Sequence, residues 1–476
     1  MAATEKPAVC RQHERILFPM AQQNRQLDMS FDGDQRLAEA FKLGHFITLL
    51  EVTTPAASQP IDSAAAVLQP LLKQASTLTE INGITLSDRL PDEQRHDPAE
   101  FAQILLSSFD KSAVLTISGK GSSLDRAKTI CAAAHGRGLR NVLAVTGDLP
   151  TQAADTTPAP PTPRPFLDSA EALRALYDFN RQLCLGAVVN PYKYTAQDQC
   201  LQYAKMLRKL RSGATFLVAQ AGWDMKKSQE LQWFMQMREM HEPIIARVIM
   251  FSREEALRLG EWRQPGITLP VPLAAQIMRE ATLQPSDYIT AQIHRCALQI
   301  IGYRVLGYSG VQIAGCRDPK TLAQLAAHCR ELTATSDDYP SWLKQWQDLH
   351  GAISFAPAPT EHNAGPPHYL FRQLLNPQRR DYVPEDRFLG QFLEKPDFAD
   401  QWRFFMAKWG RRDNGCFGLP YETACPKQLR YGPCGGSQCD GFCEAGHQPC
   451  FFQRVLRLLA SHNAIQRLEE GLPEND

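Results

Sequence analysis

The sequence predicts an α/β fold: a closed (β/α)8 barrel followed by a small Cys-rich metal-binding domain. Three observations predict it. Eight short aliphatic runs alternate with longer segments of helical period, polar residues recur where those runs end, and six of the thirteen cysteines fall within residues 416–450.

The eight runs are 46–52, 83–86, 113–117, 142–146, 185–189, 215–220, 244–250 and 310–313, each short and rich in Val, Ile, Leu or Ala. Helical stretches separate them, among them 63–74, 124–134, 169–181 and 196–210. In the last, Leu201, Ala204, Leu207 and Leu210 form one apolar stripe and Gly213 ends the helix. Eight parallel strands joined by helices make a TIM barrel. An open doubly wound sheet is the alternative, but its mark, G-x-G-x-x-G after the first strand, is absent.

Residues 152–166 carry Pro158, Pro160, Pro161, Pro163 and Pro165, too dense for a helix, and read as a long loop on the face where the strands end. A second low-order stretch lies at 356–367. The chain therefore divides into an N-terminal extension (1–40), a barrel (41–349), a linker (350–367) and a Cys-rich module (368–476).

Hydrophobic residues at 43% and charged residues at 21% allow a full core. Lys plus Arg equals Asp plus Glu at 51 each, so no overall field draws nucleic acid or an anionic membrane, and neither is expected as a partner. There is no secretory apolar run near the N-terminus and no segment of membrane-spanning length, so a soluble, cytoplasmic protein is expected. In that compartment the cysteines read as free thiols and metal ligands rather than disulfides.

In a barrel of this kind, chemistry is built at the C-terminal ends of the strands. Glu51 closes the first in LLEVTTP, Thr85 and Asp88 the second in GITLSD, Gly147 and Asp148 the fourth in NVLAVTGDLP, and Gln220 the sixth in FLVAQAG. Taken singly, each has a plain reading: Glu51 a solvated charge, Gly147-Asp148 a β-turn, Gln220 a backbone partner, and Arg208 and Lys209 cations suited to a helix C-terminus. SGKGSS at 118–123 could cradle a phosphate, a weak sign by itself.

Taken together, these residues resemble the methylenetetrahydrofolate reductase family. GLRNVLAVTGDLP is similar to that family's fourth-strand motif, Glu51 before Pro55 to its first-strand glutamate, Gln220 in GATFLVAQ to its sixth-strand glutamine, and Arg208 and Lys209 to the basic end of the preceding helix. The resemblance implies a flavin-containing barrel in which reduced FAD passes a hydride to 5,10-methylenetetrahydrofolate, giving 5-methyltetrahydrofolate. Ring opening to an iminium needs a proton, which the resemblance assigns to Glu51 as general acid, with an apolar wall or Asp148 expected to keep it protonated. It places Asp148 between flavin and pterin, Gln220 on the pterin, and Thr85, Gly147, Arg208 and Lys209 on FAD, the two cations at its pyrophosphate. Val52, Thr53 and Thr54 in the first-strand motif, Val114, Thr146 and Val189 depart from the family pattern and rewrite part of the flavin contact.

The last segment spaces its cysteines by gaps of eight, eight, four, three and six residues, with glycines and prolines between them that allow tight turns. Four thiolates suit either tetrahedral zinc or a 4Fe-4S cluster. Cys-Pro-Lys, Gly-Pro-Cys-Gly-Gly and the closing cysteines resemble the C-terminal domain attached to some methylenetetrahydrofolate reductases. That pattern favours Cys425, Cys434, Cys443 and Cys450 as ligands, with Cys416 a substitute, Cys439 an extra and His447 a weaker candidate. Trp402, Phe404, Phe405 and Trp409, at helical spacing, read as a face docking the module to the barrel.

The expected function is flavin-dependent folate reduction in one-carbon metabolism, with the module as an electron relay or docking unit. The electron donor is reduced nicotinamide or an electron-transfer protein, and a homo-oligomer or partner subunit is compatible with the sequence. The rivals are a noncatalytic binding or electron-transfer subunit, and a methyltransferase using folate or a corrinoid partner.

Overall fold

Successive side chains of a strand point to opposite faces, so an aliphatic run supplies two apolar faces at once. The computed structural model describes residues 34–87, 95–149, 166–351, 353–360, 363, 365–382, 395–409, 416–446 and 448–472. Eight parallel strands pair in chain order and close on themselves: β1 (Ile47–Thr53), β2 (Gly83–Ser87), β3 (Ser112–Ser118), β4 (Asn141–Val145), β5 (Cys184–Val189), β6 (Phe216–Ala219), β7 (Ile244–Ile249) and β8 (Gly310–Ala314). Every expected run is a strand, its ends displaced by no more than one residue.

Fifteen α-helices accompany them among the described residues: α1 (Arg36–Lys42), α2 (Ile61–Thr77), α3 (Pro98–Leu106), α4 (Leu124–Gly136), α5 (Ser169–Phe179), α6 (Ala196–Arg211), α7 (Met225–Met237), α8 (Arg253–Leu257), α9 (Val271–Ala281), α10 (Pro285–Val305), α11 (Pro319–Thr335), α12 (Tyr339–His350), α13 (Phe398–Trp409), α14 (Tyr421–Ala424) and α15 (Phe451–Ser461).

Strand parity divides the core. Leu50, Ile84, Leu115, Val142, Leu185, Leu217, Val248 and Ile313 form the outer core with the surrounding helices. Leu49, Val114, Leu143, Cys184, Phe216 and Ile245 form a separate inner core with Leu37 and, at its edge, Phe41 of α1. The Phe41 ring lies 5.4 Å from that of Phe216, so α1 plugs the N-terminal end. Residues 36–40, expected in the extension, therefore belong to the barrel. With that end closed, ligand access is left to the opposite mouth.

Beyond α12 the chain does not leave the barrel at residue 367. Leu370, Phe371 and Leu374 join the outer core, and Phe371 packs edge-on against Trp233 of α7 at 5.4 Å. Lys227 donates to the His368 carbonyl at 2.7 Å, and Leu375 N–H to Gln229 at 2.6 Å. Residues 368–375 are a strap on the barrel; the module's own core begins at Cys416.

That core is shared. Cys200, Leu201 and Ala204 of α6 pack with Phe417, Leu419, Leu429, Phe452, Val455 and Leu459 of the module. Full burial of each such Leu or Phe contributes about 1.5–3 kcal/mol. The module thus sits on α6, which is buried on nearly every side. The aromatic stripe of α13 splits: Phe404 packs against His462 at 4.5 Å, whereas Trp402 and Phe405 are exposed. It docks α13 onto the module rather than the module onto the barrel. Asp88, His447, the Trp409 side chain and all of the Pro-rich loop except Phe166 lie outside the described residues.

Candidate functional site

Strand parity also selects the side chains of the mouth. Glu51 lies two residues after the inward Leu49, and Arg247 two after the inward Ile245. Thr85 is the ladder partner of Glu51, and Gln312 that of Arg247. Arg247 grips Glu51 with two bonds, Nε to Oε2 at 2.6 Å and Nη2 to Oε1 at 2.9 Å, and Gln312 Nε2 donates to Oε2 at 2.8 Å. The two charged side chains are 11% and 9% exposed. The apolar wall expected around Glu51 is therefore replaced by a cation and an amide.

Two oxygen atoms beside this pair are unbonded among the described residues. Thr85 Oγ1 and Gln312 Oε1 are buried without a hydrogen bond among the described residues. An unmet buried polar group costs about 1–3 kcal/mol, and a ligand in the mouth can recover it.

After β4, Gly147 takes φ +83°, and a Cβ there would come within 2.4 Å of Ser118 Oγ and 2.9 Å of Lys120 Cβ. Glycine is required by both conformation and space. Asp148 follows, exposed. Gln220, just past β6, is half-buried; its Oε1 accepts from Ala221 N–H at 3.0 Å. Glu51, Thr85, Gly147, Asp148 and Gln220 thus all occupy the C-terminal end of the barrel.

Arg208 and Lys209 stand elsewhere, in the layer between barrel and module. Arg208 donates to the carbonyls of Glu470 at 2.8 Å and Tyr431 at 3.0 Å, and to that of Arg467. Lys209 donates to the Val188 carbonyl at 2.6 Å, and burial with the nearby Lys205 charge pushes it down to about 7. Their basic pattern in sequence is equally that of a helix end anchoring another chain segment.

The same layer holds residues that sequence reasoning missed. Lys205 meets both Asp168 oxygens, at 2.6 and 2.8 Å, and the Tyr431 carbonyl at 3.0 Å. Burial opposes the Asp168 charge, but Lys205 and the Ala170 N–H hold its carboxyl below the usual range. Asn190 Nδ2 bridges the carbonyls of Gly266 and Gly435 at 2.7 Å each, and Lys193 reaches those of Gly435 and Ser437 at 3.1 and 2.5 Å. The Gly-Pro-Cys-Gly-Gly turn is therefore held against the rim after β5. Arg247 did leave a sign in the sequence, a lone cation within the aliphatic run IIARVIM.

In the module, Cys425, Cys443 and Cys450 each lie close enough to Cys434 for charge on one thiol to act on the other. Burial raises all four thiols, Cys425 to about 11. Cys416 is fully buried and its thiol donates to the Arg430 carbonyl at 3.3 Å; Cys439 instead faces the charges of Asp440 and Lys193. Among the described residues, no three Cys, His, Asp or Glu side chains form a ready metal site. Four thiols are nevertheless the donor chemistry that zinc or a 4Fe-4S cluster takes, and binding would have to draw them together. The mouth fits the ring portion of a flavin in one respect, the buried Thr85 hydroxyl, which has no hydrogen bond among the described residues. Arg208 and Lys209, expected at a pyrophosphate, are bonded here to main-chain carbonyls.

Residues 36–288 match the family model for methylenetetrahydrofolate reductase. The chain belongs to the methylenetetrahydrofolate reductase family. A second model, methylene-tetrahydrofolate reductase C terminal, matches residues 416–476, so the module is that family's C-terminal domain. No curated protein matches the chain. Among solved structures, it is similar to an uncharacterized Clostridium thermocellum protein that binds two copies of 5-methyl-5,6,7,8-tetrahydrofolic acid, at 14% identity and TM-score 0.46, covering 63% of this chain and 99% of that one. It is also similar to a candidate dihydrodipicolinate synthetase from Pseudomonas aeruginosa, at 13% identity and TM-score 0.31, covering 62% and 81%. Among the described residues of this reductase-family chain, no helix is long and apolar enough to cross a membrane.

Proposed function

We propose that the chain reduces 5,10-methylenetetrahydrofolate to 5-methyltetrahydrofolate with FAD in the barrel mouth and a metal centre in the C-terminal module. The observation that supports this most is Glu51 on the inner face of β1, at the end left open by α1, within a family match that spans the barrel's first seven strands. When bound, FAD supplies the hydride. Thr85 and Gly147 would hold it at the strand ends, and Asp148, on the same rim, would lie toward the flavin and pterin. Gln220 orients the pterin through its amide.

Glu51 delivers the proton that opens the five-membered ring. Arg247 and Gln312, bonded to its two oxygens, fix the direction in which it gives that proton. Arg208 and Lys209 serve the seam between barrel and module.

Cys425, Cys434, Cys443 and Cys450 hold the metal, which as a 4Fe-4S cluster would pass electrons from a ferredoxin-like donor and as zinc would staple a module with a small core. Reduced nicotinamide is the donor in the zinc case. Absorbance of protein purified without oxygen, with iron, sulfide and zinc analysis, tests this. Flavin bands with iron and sulfide are expected of a relay, and flavin with zinc of a staple; absence of flavin after reconstitution with FAD would overturn the reductase reading.

A further inference from the structure

The barrel's Gly-Asp motif and the module's Cys-Pro-Lys motif, 280 residues apart in the chain, meet in the fold. Lys427 Nζ donates to the Gly147 carbonyl at 2.6 Å, ion-pairs with Glu444, and lies 5.2 Å from the centre of the Phe166 ring. Leu149 N–H donates to Glu444 Oε1 at 3.3 Å. The loop of residues 147–149 is therefore tied at both ends to one buried ion pair, whose side chains are 3% and 5% exposed. Asp148, the residue between the ties, carries its charge within reach of Lys427.

Three features make this a device for placing the loop. Gly147 has a wider choice of backbone conformations than other residues, so the direction of its carbonyl depends on what bonds it. Glu444 is itself packed in place: a Cβ at Gly436 would fall 1.6 Å from its Oε2. Lys427 stands two residues after Cys425 and Glu444 directly after Cys443, so whatever draws those two thiols to one centre also sets the separation of the ion pair that grips the loop.

We propose that Lys427 and Glu444 are positioning residues of the barrel mouth, which link metal binding at the module's cysteines to ligand binding beside Asp148. This rests on the flavin and metal assignments above. Linkage of this kind is reciprocal: metal tightens the mouth ligand and the ligand tightens the metal.

The test uses the full chain, with hydrogen exchange at the Leu149 amide and titration with FAD alone. Lys427→Met, Glu444→Gln and removal of metal by a chelator are each expected to speed Leu149 exchange and weaken FAD binding about tenfold, within the usual range of coupling between sites. Lys427→Arg, which keeps a cation, is expected to restore most of both. Metal content should remain full in Glu444→Gln, which preserves the side-chain shape and guards against a variant that merely unfolds. Unchanged Leu149 exchange and FAD affinity in Lys427→Met would overturn the clamp, as would equal losses in both variants accompanied by loss of metal. If the wild-type protein takes up no FAD, the flavin assignment falls, and the exchange rates alone decide whether the clamp exists.

Discussion

The chain buries two kinds of ion pair, and they differ in what they leave undone. At the mouth, Glu51 is gripped by Arg247 and Gln312, yet Gln312 Oε1 and Thr85 Oγ1 beside it have no hydrogen bond among the described residues. In the seam under the module, Asp168 receives both Lys205 bonds, the Ala170 N–H at 2.8 Å and the Tyr431 N–H at 3.3 Å. The first pair stands among bonds still to be made and suits a ligand; the second is saturated and suits an architecture. Burial alone does not separate a site from a staple. Unmet neighbours do.

The largest effect expected from this contrast falls at the mouth. Glu51→Gln keeps the shape of the side chain and removes its proton, so folate reduction should drop by about 10²- to 10⁴-fold while reduction of the flavin by its donor continues. Stopped-flow absorbance separates the two half-reactions. Undiminished folate turnover would take the acid role from Glu51 and erase the functional half of the comparison.

The seam should respond in stability instead. Lys205→Met leaves Asp168 ionised and buried without its cation, a change that costs about 3–5 kcal/mol when one partner of a buried pair is removed. Asp168 has its carboxyl held down in the fold, so the stability it contributes is full above the ordinary carboxylate range and is lost as pH falls through its lowered value. Urea unfolding of Lys205→Met against wild type should show the deficit at neutral pH and its narrowing in acid. A deficit below 1 kcal/mol would mean that the module is seated by its apolar core alone.

The same contrast explains what the sequence could disclose. Parallel strands read as aliphatic runs because both faces are covered, which made the eight strands and their ends legible, and with them Glu51, Thr85, Gly147 and Gln220 at the rim. The seam was hidden. Cys200, Leu201 and Ala204 look like an ordinary apolar stripe whether their partner is a strand or a distant module, and Leu370, Phe371 and Leu374 carry no helical or strand period to announce a strap. Arg208 and Lys209 matched a basic motif whose chemistry, binding oxygen, is satisfied equally by a pyrophosphate and by main-chain carbonyls. Only the fold says which oxygens are near.

Lys209 gives the finest probe of the seam, because burial and a neighbouring cation both oppose its charge. Its ammonium meets one carbonyl, Val188 O, while burial and the adjacent Lys205 charge push its pKa down to about 7. In the unfolded chain a lysine holds its proton to about 10.4. Between these values the unfolded state binds more protons than the folded one, so the Lys209 contribution to stability rises with pH, by at most about 1.4 kcal/mol per unit. Below pH 7 both states are protonated and the contribution is flat. Lys209→Met removes the group, so the difference between variant and wild type in a series of urea titrations should be greatest near pH 7 and close steadily toward pH 10. A difference independent of pH would show that Lys209 stays charged in the fold, its proton held by the Val188 carbonyl and the Asp168 charge against the push of burial and Lys205.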